Sequence, residues 1–197
     1  MSSIASVLSS VTPRKEPLNL TPAQTLSGLK GPGDIWVEFV ERCPNKREAD
    51  LEWYIRLQKY NRSYATVSFN ATLPYEFSDD LSISIAVFSK SNGAWKPNFY
   101  NFNFKGLCHS LREYNWYIFS DIAKSMNAKP QCPLPKGLYK LTNLDYMSKV
   151  SKLPSSVLPY GKFKAEGNIF NKHHKLAVCF DVYFAISPKK ITRKNRL

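Results

Sequence analysis

From Asp34 to Ile186 apolar and polar residues keep alternating, and a period of two admits few folds. "LEWYIRL" sets Leu51, Trp53, Ile55 and Leu57 against Glu52, Tyr54 and Arg56, and "ATVSFNATL" sets Ala65, Val67, Phe69, Ala71 and Leu73 against Thr66, Ser68, Asn70 and Thr72. Successive side chains of an extended chain point to opposite faces, so each segment predicts a half-buried strand. "LSISIAV" continues the pattern with Leu81, Ile83, Ile85 and Val87, and "HKLAVCFDVYFAI" closes it with Leu176, Val178, Phe180, Val182, Phe184 and Ile186 on one side. Between them, Asn92-Gly93 suits a type I′ hairpin turn, after which "WKPNFYNFNF" reads as a further strand.

One segment departs from this period. In "LCHSLREYNWYIFSDIAKSM", Leu107, Leu111, Tyr114, Ile118, Ile122 and Met126 recur at spacings of three or four, the stripe of an amphipathic helix. The fold class expected is therefore all-β: a two-sheet antiparallel sandwich or cup of about eight strands, with one helical excursion near residues 107–126. Of the 197 residues, 1–33 read as a flexible arm rich in Ser, Thr, Pro and Gly, 34–187 as one β-sandwich domain, and 188–197 as a basic tail. No apolar run approaches the ~18 residues that a membrane-crossing helix needs. "MSSIASVLSS" interrupts its apolar residues with serine, so no secretory signal peptide is visible in it.

A formal charge of +13 raises anionic partners, but the basic residues are spread along the chain, apart from one dense run. That run is "SPKKITRKNRL", where Lys189, Lys190, Arg193, Lys194 and Arg196 form either a solvated tail or a device for approaching anionic head groups. In "WYIRLQKYNRSY", Trp53, Tyr54, Tyr60 and Tyr64 alternate with Arg56, Lys59 and Arg62, which suits stacking on single-stranded nucleic acid and equally suits an exposed strand face. Disulfides and glycosylation signals oppose the former, so nucleic acid is not the partner expected.

The four cysteines, Cys43, Cys108, Cys132 and Cys179, have no Cys-x-x-Cys spacing, so a disulfide framework is expected and a metal site is not. Three pairings are open. A Cys108–Cys132 bridge would pin both ends of the helical segment and stabilise by roughly 3 kcal/mol. Cys43 and Cys179 would then tie the first strand region to the last. The sequons at Asn61 and Asn70 point to the same oxidising compartment, with Asn70 on the polar face of its strand.

The segment "CPLPKGLYKLTNLDYMSKVSKLPSSVLPYGKFKAEGNIFNKHHKLAVCFDVYFAI" resembles the C-terminal half of the ganglioside activator family. It shares the order Cys-Pro, Gly-x-Tyr, strand, a Leu-Pro-Ser loop with an apolar tip, Gly-x-Phe, and a last strand containing Cys. It is also similar to the insect chemosensory proteins of the CheB type. The layout covers about residues 34–187 and the motifs 131–186. The resemblance implies a β-cup around an apolar cavity, no covalent chemistry, and a secreted or lysosomal-lumen location. It also implies pairing of Cys43 with Cys179 and of Cys108 with Cys132. Further cysteine pairs and a membrane-loop tryptophan of that family are missing from this sequence.

The function expected is thus a secreted carrier that binds a lipid or other apolar ligand between two sheets and presents it to a membrane, receptor or enzyme. The alternative is a secreted interaction module with a solid core. Candidate lining residues are Phe69, Ile83, Ile85, Val87, Leu141, Phe163, Phe180 and Val182. In the apolar loop 154–161, Val157, Leu158 and Tyr160 are candidates for a lid or for peripheral membrane contact. No cofactor is expected. Nor is catalysis: His173 and His174 fall in a predicted hairpin turn, His109 begins the helix, and Asp145, Glu166 and Asp181 read as isolated acids.

Overall fold

The computed structural model describes residues 30–44, 51–61, 64–145 and 158–189. The basic tail beyond Lys189, Val157, most of the N-terminal arm, and Arg62 and Ser63 of the first sequon lie outside the described residues. Strands β2 (Gly33–Arg42), β3 (Glu52–Lys59), β4 (Ala65–Leu73), β5 (Ser82–Ser91) and β6 (Ala94–Lys105) come first. A helical segment follows, and then β7 (Gly137–Asp145), β9 (Gly161–Phe170) and β10 (Leu176–Pro188). The short strands β1 (Lys30–Gly31) and β8 (Leu158–Pro159) pair with each other, so strand structure begins inside the segment read as an arm.

All pairing is antiparallel, in a five-stranded sheet ordered β2-β10-β9-β5-β6 and a three-stranded sheet ordered β3-β4-β7. The expected all-β sandwich is therefore what the chain forms. Local signals account for the hairpins. Asn92 (φ 51°) and Gly93 (φ 79°) both occupy the left-handed region that a type I′ turn demands. In the β9–β10 turn, Asn171 Oδ1 accepts the backbone N–H groups of His173 (2.9 Å) and Lys175 (3.1 Å).

The helical excursion links edge strand β6 to edge strand β7 and spans the side of the sandwich between them. It consists of α1 (Leu107–Ser110), a π-helical turn over Leu111–Asn115, and α2 (Trp116–Ser125). Leu107 and Leu111 pack into the core and the Tyr114 ring, itself largely exposed, meets Phe104 at 5.5 Å, so the first part of the apolar stripe turns to the sheets. Both disulfides close, Cys43–Cys179 across 136 residues and Cys108–Cys132 across 24. The latter joins the start of the helical segment to the descent into β7, where Leu134 exchanges backbone hydrogen bonds with Phe77 and the Cys132–Pro133 peptide is cis.

Candidate ligand-binding interior

The register assigns every strand residue to a face. In the five-stranded sheet, Phe104–Ile83–Ile169–Val178, Phe102–Ile85–Gly167–Phe180 and Tyr100–Val87–Ala165–Val182 form successive cross-strand rows on the inner side. In the three-stranded sheet the inner rows are Trp53–Ala71–Tyr139, Ile55–Phe69–Leu141 and Leu57–Val67–Leu144. Among the described residues, the buried core that the two faces share lies at one end. There Leu51, Leu73, Trp53 and Tyr139 from the β3-β4-β7 side pack with Leu81, Ile83, Ile169, Val178 and Phe180, and Leu107 and Leu111 of the helical segment join them. Each fully buried side chain of that size contributes about 1.5–3 kcal/mol, so this base anchors the sandwich.

Toward the other end the packing among the described residues is one-sided. A second cluster, Val87, Phe163 and Ile186 with Ile35, Ile85, Phe99, Tyr100, Phe102, Leu158, Tyr160 and Phe184 around it, comes entirely from the five-stranded sheet and the β8 region. Its rings run in a chain, with Phe99 5.0 Å from Phe163 and Phe163 5.5 Å from Phe184. Across from it, Ile55, Leu57, Val67 and Phe69 face inward and yet are only half-buried, as are Ile85, Phe102, Val182 and Phe184. In sheets that interlock, such side chains would be buried as Leu51, Leu73, Leu81, Ile169 and Val178 are in the base, where Trp53, Ile83, Tyr139 and Phe180 are half-buried as well.

Of the sequence-derived candidates, Ile83 and Phe180 belong to the base, and Ile85, Val87, Leu158, Tyr160 and Phe163 to the one-sided cluster. Phe69 and Leu141 are cross-strand neighbours on the opposite sheet, Leu141 buried and Phe69 half-buried, while Val182 lies opposite Ala165. The Tyr160 hydroxyl donates to the Pro32 carbonyl at 3.1 Å, tying the β8 end to the start of β2. The candidate list omitted Phe99, Tyr100, Phe102 and Phe184. For Phe99, Tyr100 and Phe102 the strand period was visible but which face turned inward was not assigned for β6, while Phe184 stood on the same side as Phe180 and Val182 and was left out. Also omitted was Gly167, which leaves room for a ring: a Cβ there would stand 2.3 Å from the Phe180 ring opposite.

Electrostatics concentrate on the outer side of the five-stranded sheet, and here one expectation is corrected. Asp181 and Glu166 are not isolated. Glu41, Asp181 and Glu166 stand directly opposite one another across β2, β10 and β9, because the register aligns them. Lys164 lies between the latter two, 3.3 Å from Asp181 and 3.9 Å from Glu166, and only 15% of its side chain is exposed. Burial pushes the Asp181 carboxyl above the usual carboxylate range, Lys164 opposing and the two flanking carboxylates adding to the shift. Burial first, and then its hydrogen bond to Glu41, raise the Tyr183 hydroxyl to about 12. The Tyr183 ring stacks on Phe39 at 4.0 Å and meets Trp95 edge-on at 5.6 Å.

The groups considered for catalysis sit on different elements, although the His109 backbone N–H donates to Asp79 (2.7 Å), the neighbour of Asp80, which lines a cleft together with His173. His109 pairs with Glu113 (3.2 Å) on the exposed helical surface, while His173 and His174 sit in the β9–β10 turn. Beside that turn a cleft of about 360 Å³, lined by residues that include Glu76, Asp80, Lys172 and His173, opens outside the base. It shares none of the candidate lining residues. Trp53 points into the base under the Arg42 guanidinium (5.1 Å), so it does not share a stacking surface with Tyr54, Tyr60 and Tyr64.

Comparison with solved structures finds chicken MD-1 in complex with lipid IVa at 9% identity and TM-score 0.38, covering 80% of this chain and 97% of that one. A Niemann-Pick type C2 protein from the Japanese carpenter ant matches at 16% identity and TM-score 0.26, covering 80% and 93%. No curated protein matches the sequence. Residues 83–165, from β5 into β9, are similar to a family described as "Protein of unknown function (DUF1091)".

Proposed function

We propose that this protein is a carrier holding a lipid or another apolar ligand between its two sheets and presenting it at the end opposite the base. The observation that carries this reading is the pair of facing apolar surfaces, Ile55, Leu57, Val67 and Phe69 against Ile85, Phe102, Val182 and Phe184, which stay half-buried although they point at each other. Water gains little from such a space and an acyl chain gains about 0.8 kcal/mol for each CH₂ it buries. Phe69, Ile83, Ile85, Val87, Leu141, Phe163, Phe180 and Val182 would line the ligand, with Leu158 and Tyr160 at its exit. Val157, the residue before Leu158 in the sequence, is proposed to act with them.

The strand ends support presentation to an anionic surface. Lys30, Lys59, Lys90, Lys96, Lys162 and Lys189 are all exposed at or near strand ends remote from the base, with Asp34 and Asp145 among them and Glu38 holding Lys162 at 3.0 Å. Residues 154–161, expected to be a loop and described only from Leu158, where β8 begins, would then make the peripheral membrane contact. Two disulfides suit an extracellular or lysosomal setting. A protein receptor would find the outer aromatic cluster of Phe39, Tyr183 and Trp95. No residue is assigned a catalytic role.

The test is uptake of a fluorescent fatty acid and a fluorescent sphingolipid by the folded, bridged protein. Saturable uptake that is lost in Phe69→Arg is expected. Failure across several lipid classes would leave the solid-core interaction module as the better reading.

A further inference from the structure

The outer face of the three-stranded sheet carries a feature that a ligand hollow does not use. Asn70 and Thr72 of the sequon Asn70-Ala71-Thr72 are exposed on it, while Ala71 (2% exposed) and Leu73 (6%) point inward. Asn70 lies in the central strand, not in a loop. Directly opposite on β3 stands Tyr54, 60% exposed, and opposite on β7 stands Lys140. Thr72 faces Glu52 on one side and Leu138, 68% exposed, on the other. Two large exposed side chains, one aromatic and one aliphatic, thus flank a modifiable amide on an otherwise polar face.

Directly opposed residues of an antiparallel pair hold their Cβ atoms about 4.5–5.5 Å apart, so a sugar joined to the Asn70 amide starts within reach of the Tyr54 ring. The axial C–H groups of a hexosamine ring lie flat on an aromatic face. The other sequon differs: Asn61 Oδ1 already accepts the Tyr64 backbone N–H at 2.9 Å, and the Tyr60 and Tyr64 rings stack on each other at 5.1 Å.

We infer that Asn70 carries an N-linked glycan whose first sugar rests on Tyr54, making the outer face of the three-stranded sheet the shielded face of the molecule. This rests on the secretory location of the proposed carrier. The donor is a polyprenyl-pyrophosphate-linked oligosaccharide. The Asn70 Nδ2 forms a bond to the anomeric carbon and gives up one proton. The bond from that carbon to the pyrophosphate oxygen breaks, and its electron pair leaves on the pyrophosphate. With this face covered, membrane and receptor contacts fall to the lysine-bordered end and to the five-stranded sheet.

The test is the full chain behind a cleavable signal peptide, expressed in a eukaryotic host, mapped by peptide mass spectrometry and melted before and after enzymatic deglycosylation. Expected are occupancy at Asn70, its loss in Asn70→Gln, and a fall in melting temperature of a few degrees on deglycosylation that Tyr54→Ser abolishes. Secreted protein with both bridges formed and a bare Asn70 overturns the inference and leaves the carrier standing. An occupied Asn70 whose deglycosylation shift is the same in Tyr54→Ser overturns the stacking role. Failure to recover bridged protein from the medium removes the secretory reading and this inference together.

Discussion

Consider replacing each cysteine pair by alanine. Cross-linking restricts the unfolded chain in proportion to the logarithm of the loop closed, as −2.1 − 1.5R ln n cal/mol/K. With a separation of 24 for Cys108–Cys132, that amounts to about 3.4 kcal/mol at 25 °C. With 136 for Cys43–Cys179, it is about 5 kcal/mol. Cys179 is fully buried (0% exposed) and Cys108 nearly so (1%), so each site also loses packed sulfur. Together the bridges are worth about 8 kcal/mol, comparable to the entire stability of an ordinary domain, roughly 5–15 kcal/mol. Guanidinium titration should therefore find both paired variants folded and less stable, Cys43→Ala/Cys179→Ala by about 1.5 kcal/mol more than the other, and the quadruple variant unfolded. Because Cys108–Cys132 holds the helical segment across the side between β6 and β7, its removal should also raise proteolysis there. A larger loss from Cys108→Ala/Cys132→Ala, or a folded quadruple variant, would refute the reasoning.

Three further outcomes follow from the packing and charge. Gly167→Ala should cost about 1–3 kcal/mol in denaturant titration, because its Cβ would stand 2.3 Å from the Phe180 ring; a loss below about 0.5 kcal/mol would contradict that fit. Asp181 has a folded pKa raised above its ordinary 3.8, so the folded state binds the proton more tightly and that contribution is complete below 3.8 and lost as pH rises through the folded value. Melting temperature of the native protein should accordingly fall, relative to Asp181→Asn, as pH is raised from about 4 toward neutrality, and parallel profiles would sink the claim. Reversing Lys90, Lys96 and Lys162 to Glu should weaken sedimentation with phosphatidylserine vesicles in a salt-dependent way; unchanged binding would remove the lysine-bordered end from the account.

Strand existence and the local hairpins were legible because each face meets a different environment, and "LEWYIRL" shows it most plainly. The resemblance implied the two bridges, and both formed. Sheet order was not legible. That β5 lies beside β9 and β10 beside β2 depends on pairings between distant segments, whose registers no local signal encodes. The same long-range register turned Glu41, Asp181 and Glu166, scattered in sequence, into neighbours. Within the candidate site, inward-facing Val182 and Phe69 were readable from alternation alone. The split between a shared base and a one-sided cluster was not, since periodicity says which way a side chain points and nothing about what it meets.

The proposed hollow is tested most directly by filling it. Val182 is half-buried and points from β10 toward the opposite sheet, so Val182→Trp adds bulk where the account leaves space. This variant should keep its stability to within about 0.5 kcal/mol in denaturant titration and lose fluorescent lipid uptake. Interlocked faces would instead make it overpacked, costing about 1–3 kcal/mol, and that loss would contradict the central claim.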